Sequence, residues 1–371
     1  MKPSHSIFAV VFVGSAATAA VSDVAPLFTD NYSYPLSAEG FLTAGLAVGD
    51  LDGDGDLDVV ESNGRHWAQA SYIYLNSGNR LVERKQLGTS HTANYAVRLA
   101  DFDGDGDQDI LAAADRHPNQ IFWNDGSGGF EKESAIGDEF SNTRNVHVVD
   151  INGDGLPDVL EICRGTANNI FLNEGGGRFG TPIPFGAMDD STLSVAIADL
   201  DDDGDMDLVL ANRDGQQNVI LLNDGALNFS ESVPFGSGAD DTRGVTLADL
   251  NGDGLLDIVT ANIGQANEVF FNNGDLTFEL SQTFGADTSR TYGLVTADFD
   301  GDGDVDVAVA NAPGNNQLFL NNGDGILVLD SEFGDEAART YAIAASDINR
   351  DGKTDLIIGN SAAQNLTYRQ R

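Results

Sequence analysis

Seven acidic segments recur along the 371-residue chain at intervals of 49 to 51 residues, starting at Asp50, Asp101, Asp150, Asp199, Asp249, Asp298 and Asp347. A period this regular constrains the fold more than any composition value. Each repeat is one supersecondary unit that cannot bury its apolar face alone, so neighbouring units must stack or close into a single array.

Each segment reads D-x-[DN]-x-D-G-x-x-D, with side-chain oxygens at the first, third, fifth and ninth positions and a backbone carbonyl at the seventh. The side-chain donors are Asp50, Asp52, Asp54 and Asp58 in the first copy and Asp101, Asp103, Asp105 and Asp109 in the second. The third copy offers Asp150, Asn152, Asp154 and Asp158, and the fourth Asp199, Asp201, Asp203 and Asp207. The last three offer Asp249, Asn251, Asp253 and Asp257, then Asp298, Asp300, Asp302 and Asp306, then Asp347, Asn349, Asp351 and Asp355. A flexible all-oxygen set suits Ca2+ better than Mg2+, which demands tighter octahedral geometry, so up to seven calcium sites are expected. The sixth position is glycine in every copy, as a turn through positive φ requires. Asp-Gly clusters also mark ordinary hairpin turns, but a turn alone has no reason to repeat four oxygen donors. The copy at Asp347 is the weakest, because Arg350 and Lys353 bring positive charge to it.

Short apolar runs flank each segment, such as Ala196-Ile197-Ala198 before Asp199 and Leu208-Val209-Leu210 after Asp207. These read as buried strands joined by the acidic loop. A third run follows, as in Gln120-Ile121-Phe122-Trp123, and a fourth carries Phe130, Phe179, Phe229 or Phe278. Four strands per unit without helical periodicity define an all-β chain with the blade pattern of a β-propeller. The seventh unit shows three strands. Its fourth is expected from the N-terminal segment around Phe28, so that the N- and C-terminal segments pair and leave no open edge there. Flanking strands argue against EF-hands, and the long period against a nonapeptide β-solenoid.

These features resemble FG-GAP or VCBS repeats, the calcium-binding blade repeats also found in integrin α-subunits. Phe185-Gly186, Phe235-Gly236, Phe284-Gly285 and Phe333-Gly334 match the Phe-Gly element, and the aspartate loops match the cation motif. The resemblance spans nearly all of residues 21–371. It implies a seven-bladed β-propeller of four-stranded blades with calcium in the hairpin between strands one and two. It fixes no activity, because the fold hosts lectins, adhesion modules and lyases.

Residues 1–20 have the layout of a secretory signal peptide: Lys2, an apolar run from Ile7 to Val13, then small residues through Ala20. That run is short for a bilayer span, so a secreted, periplasmic or cell-surface protein with no membrane span in its mature chain is expected. The net charge is −40, and thirty of the 59 acidic residues sit inside the seven loops. Charge of this sign excludes nucleic acid as a partner. Cys163 is the single cysteine, which leaves metal as the expected staple of a monomer.

The first strand enters the loop and the second leaves it, so the start of one and the end of the other share the face away from the metal. Rings of Thr (Asn94 in the second unit) and Asn (Ala114 and Cys163 in two units) fall there, and are expected to satisfy backbone groups. Arg65, Arg144, Arg164, Arg213, Arg243, Arg290 and Arg339 gather at the same end with His66, Trp67, Tyr292 and Tyr341. On so acidic a chain, an Arg and aromatic cluster points to an anionic or carbohydrate ligand. The expected role is therefore noncatalytic binding of a glycan or an extracellular protein. The alternatives are a polysaccharide lyase that uses Tyr95, Arg116 and His117 for β-elimination on an acidic glycan, and a structural subunit of a surface assembly. No P-loop, dinucleotide fingerprint, zinc cluster or nucleophile elbow is present.

Overall fold

The computed structural model describes residues 25–78, 80–137 and 140–371. The expected leader over residues 1–20 lies outside them. Among the described residues, every regular element apart from one 3-10 turn at Asp30–Tyr32 is a β-strand, and no helix is long and apolar enough to cross a membrane.

Each acidic segment is a hairpin connection between the first two strands of an antiparallel meander. In the fourth unit Thr192–Ala198 pairs with Asp207–Asn212, which pairs with Asn218–Leu222, which pairs with Glu231–Phe235. Five such four-stranded sheets are separate, and a sixth sheet has eight strands. The larger sheet contains the first unit, Phe41–Gly49 to Leu81–Thr92, and the strands Thr340–Ser346, Asp355–Ala363 and Leu366–Tyr368 of the last. Its outermost strand is N-terminal, because Ser33–Pro35 pairs with Leu366–Tyr368 through Ser33 opposite Tyr368. The strand expected near Phe28 thus begins five residues later. Phe28 itself is fully buried and packs edge-on against Phe299 at 5.9 Å, as Phe179 does against Phe102.

The aromatic residues assigned to fourth strands need one correction. Phe130, Phe179 and Phe229 precede those strands, and only Phe278 opens one. They are partly buried lids on the cores below, because the Gly-rich turn ends later than the apolar residue. The Phe-Gly elements instead close the fourth strands, with buried rings at Phe185, Phe235, Phe284 and Phe333.

Apolar side chains pack between adjacent sheets, which is why the strand runs are hydrophobic on both faces. One cluster joins Leu160 and Ile170 of the third unit to Val195 and Leu208 of the fourth. An equivalent cluster joins Ile348 and Ile357 of the last unit to Val59 and Tyr74 of the first. Polar links repeat with the same period. Asn168 donates to Thr192 Oγ1 at 3.2 Å and Asn218 to Thr242 Oγ1 at 2.9 Å, while Asn365 donates to Thr43 Oγ1 at 2.9 Å. First strands contact one another in sequence order, and Thr340–Ser346 lies against Phe41–Gly49.

Candidate functional site

Two rings of residues lie at opposite ends of the first strands. At the loop end the first aspartate organises the backbone. Asp50 accepts hydrogen bonds from Gly53 N and Gly55 N, both at 2.9 Å, and Asp101 from Gly104 N at 2.7 Å and Gly106 N at 2.9 Å. The sixth-position glycine has φ between 84° and 101° in all seven loops. The fourth position is left-handed as well, and it carries Asp202 at φ 60° and Arg350 at φ 58° where the other loops have glycine. That requirement was visible as a recurrent glycine in five copies. Arg350 leaves its own loop and pairs with Asp56 of the first at 2.9 Å, which removes part of the charge expected to weaken the last loop.

The ninth-position aspartates hold the backbone together. Asp58 is fully buried and accepts from Leu51 N at 2.8 Å and Asn76 N at 2.7 Å, binding the loop to the end of the third strand. Asp109, Asp158, Asp207, Asp257 and Asp306 repeat this pattern. Burial pushes the carboxyls of Asp58, Asp109, Asp306 and Asp355 up to about 6. Carboxylate oxygens lie within 4.8 Å of one another in Asp50, Asp52 and Asp58, in Asp101, Asp103 and Asp109, in Asp199, Asp201 and Asp203, and in Asp298, Asp300 and Asp302. Buried Asp199 Oδ1 and Asp355 Oδ2 have no hydrogen-bond partner. This donor set fits a hard divalent cation.

At the other end every first strand contains a β-bulge at the same position, between the residue that pairs with the end of the second strand and the residue two places on. The bulged residues are Ala44, Tyr95, Arg144, Leu193, Arg243, Tyr292 and Tyr341. A bulge re-aims its side chain out of the strand alternation, and six of these seven line a cavity of about 230 Å³ along the axis: Ala44, Tyr95, Arg144, Arg243, Tyr292 and Tyr341. The sequence alone assigns its tyrosines and arginines to this end without separating them from their neighbours. The signal was an identical spacing before each first aspartate.

The aromatic rings carry the guanidinium groups. Arg65 stacks 3.6 Å from the Tyr341 ring centre and Arg144 4.5 Å from that of Tyr95, while Tyr292 and Tyr341 meet edge to face at 4.5 Å. Arg144 also pairs with Asp115 at 2.8 Å. Burial, and then the charge of Arg65, lowers Arg243 to about 10. His66 sits 2.9 Å from the Tyr95 hydroxyl, and burial followed by Arg65 lowers its pKa. Trp67 is 72% exposed beside them.

The remaining candidates lie farther out. Arg164 forms a two-pronged pair with Asp214, which Arg213 also approaches at 3.7 Å. Arg290 and Arg339 are exposed, and Arg290 donates to the Tyr292 hydroxyl at 3.2 Å. Arg116 and His117 are exposed and do not line the axial cavity, so Tyr95 has His66 and Arg144 as its polar partners. The Thr and Asn rings are buried, and in four units Thr donates to Asn, as in Thr43 to Asn63 at 2.7 Å and Thr340 to Asn360 at 2.8 Å, whereas Asn262 Oδ1 has no hydrogen-bond partner. In the third unit Thr143 donates to Glu161 at 2.9 Å, and Cys163 fills the Asn position. Burial, then Glu161, pushes the Cys163 thiol up to about 12. Native protein should therefore resist an aromatic disulfide reagent, with one thiol titrating only on unfolding; prompt labelling would contradict this packing.

Repeated four-stranded antiparallel sheets with acidic hairpins at one end and a lined axis define a β-propeller repeat protein. The chain matches the FG-GAP-like repeat over residues 101–161, 162–210, 199–260, 249–309 and 298–358, and it belongs to that family. No curated protein matches it in sequence. Among solved structures it resembles the BP39L lectin from Burkholderia pseudomallei, with a TM-score of 0.69 at 15% identity over 89% of this chain and 96% of the lectin. It also resembles BBS1N, solved in complex with ARL6DN, with a TM-score of 0.63 at 14% identity over 93% of this chain and 97% of BBS1N.

Proposed function

We propose that this protein is an exported, calcium-stabilised, seven-bladed closed β-propeller that acts as a noncatalytic binding module for a glycan or an extracellular protein. The ring of bulged residues at the mouth of the axial cavity carries this reading. Seven independent strands all break their alternation at one level, and the re-aimed positions hold three tyrosines and two arginines. Rigid rings that present guanidinium groups offer a stacking surface and oriented donors together. Closure is supported by the core and the Asn-Thr link that repeat between the last unit and the first. Calcium is supported by convergent carboxylates and by orphaned buried oxygens that a cation would satisfy. Export rests on the layout of residues 1–20. The relatives in fold include one lectin and one protein bound to a protein, and both kinds of ligand suit this surface.

The test is retention of calcium-loaded protein on a panel of immobilised neutral and acidic polysaccharides, compared with Tyr292→Ala. Loss of one stacking platform should weaken retention by roughly fivefold, in line with about 1 kcal/mol per aromatic contact. No retention on any glycan would leave a protein ligand, and equal retention of the variant would place the site elsewhere. The short contact between Tyr95 and His66 beside Arg144 supports a second reading, a polysaccharide lyase. Unsaturated uronate products in the same incubations, absent with His66→Ala, would establish it.

A further inference from the structure

The axial cavity is electrostatically at odds with the rest of the chain. The net charge is −40, yet among the described residues that line the cavity there is no carboxylate, whereas Arg98, Arg144, Arg243 and His147 all face it. Arg144 has Asp115 as its counter-ion. Among the described residues, Arg98 and Arg243 form no ion pair. Arg98 donates to Val97 O at 2.8 Å and Asn145 Oδ1 at 3.0 Å, and Arg243 reaches only Leu193 O at 3.4 Å. Five N–H donors on each guanidinium are thus mostly unspent. Nearby, His147 Nε2 is buried without a hydrogen-bond partner. Surplus positive charge in a strand-walled cavity is costly unless something negative joins it.

We infer that the axial cavity is a binding site for a single oxyanion group, with Arg243 at the mouth and Arg98 deeper as its anchors. This rests on the proposed binding function and names the chemistry of its ligand: the carboxylate of an acidic sugar or a sulfate group, presented end-on. Planar guanidinium forks match both geometries, and exclusion of bulk water strengthens the contact. The channel walls favour an entering group over a flat ligand. Gly45, Gly244 and Gly293 line it, and at Gly45 the neighbouring first strand comes so close that a Cβ would lie 2.8 Å from Ala96 Cα.

Calorimetric titration of the calcium-loaded full chain in a low-salt zwitterionic buffer free of chloride, phosphate and sulfate provides the test, with sodium glucuronate, sodium sulfate and neutral glucose as ligands. One equivalent of glucuronate or sulfate should bind, and glucose should not compete. Preference for glucuronate over sulfate would assign the site to an acidic sugar, and the reverse to a sulfate group or free inorganic anion. Arg243→Gln should weaken anion binding roughly tenfold to hundredfold, the loss expected for a charged hydrogen-bonding partner. The same variant, and Arg98→Gln, should melt no lower than the parent in anion-free buffer, because each removes an uncompensated charge, and should lose the rise in melting temperature that sulfate gives the parent. Anion binding unchanged in both variants, or no anion binding by the parent, would overturn the inference. If neutral glycans are retained normally by Arg243→Gln while the parent binds no anion, the inference fails and the binding-module reading stands.

Discussion

Chelation of divalent ions should lower the melting temperature of this protein steeply, and added calcium should restore it far better than magnesium. The four clusters of convergent carboxylates bring like charges together, and Asp199 and Asp355 add orphaned buried oxygens. A loop filled at a hundredfold excess over its Kd contributes about 2.7 kcal/mol. A few such loops match the roughly 5–15 kcal/mol that holds a whole domain together. The pH dependence has a fixed sign. Burial raises four of the ninth-position carboxyls, those of Asp58, Asp109, Asp306 and Asp355, to about 6, so in chelated protein they contribute stability that is complete below the unfolded value and lost as pH rises through about 6. Chelated protein should therefore melt higher at pH 5 than at pH 7, while calcium stabilises more at pH 7. Thermal melts in EGTA and in calcium at both pH values check this, and a melting temperature indifferent to EGTA would remove calcium from the account.

Phe28→Ala should cost about 3–5 kcal/mol, the range for removing a large buried aromatic. Its ring is fully enclosed, 5.9 Å from Phe299 and 5.7 Å from Phe333, and joins the N-terminal segment to the sixth and seventh units. Because Ser33–Pro35 completes the outer edge of the last sheet, the loss should also free that strand. Denaturant unfolding would show the destabilisation, and enhanced amide exchange in residues 33–35 and 366–368 would locate it. Phe229→Ala, which removes a partly buried ring in the interior of the chain, should cost less and leave those amides protected. Equal costs for both would argue that the terminal strand does not secure the fold.

Period and composition made the repeat, the hairpin loops and the all-β architecture legible, because strand-loop-strand chemistry is local and was repeated seven times. The terminal strand was also legible, through the spacing of Phe28, although its pairing residues lie at Ser33–Pro35. What stayed hidden depends on tertiary placement. A β-bulge leaves no residue signature of its own, so Tyr95, Arg144, Arg243, Tyr292 and Tyr341 could be assigned to one end of the channel but not to one ring. His66 rather than His117 partners Tyr95 because the connection after the second strand of the first unit folds over the start of the second unit, with Arg65 N bonded to Asn94 O at 3.0 Å. The dual role of Asp58 and its counterparts was masked by their resemblance to plain metal ligands. The Asn that follows each third strand was the available clue.

The central claim is that ligand binds at the bulge ring and not at the metal loops. Amide hydrogen exchange of calcium-saturated protein, with and without a saturating retained glycan, tests it most directly. New protection is expected at residues 64–67, 94–96, 243–245 and 290–293, with the acidic loops unchanged. Protection confined to those loops or to the outer strands, with none at the channel mouth, would contradict it.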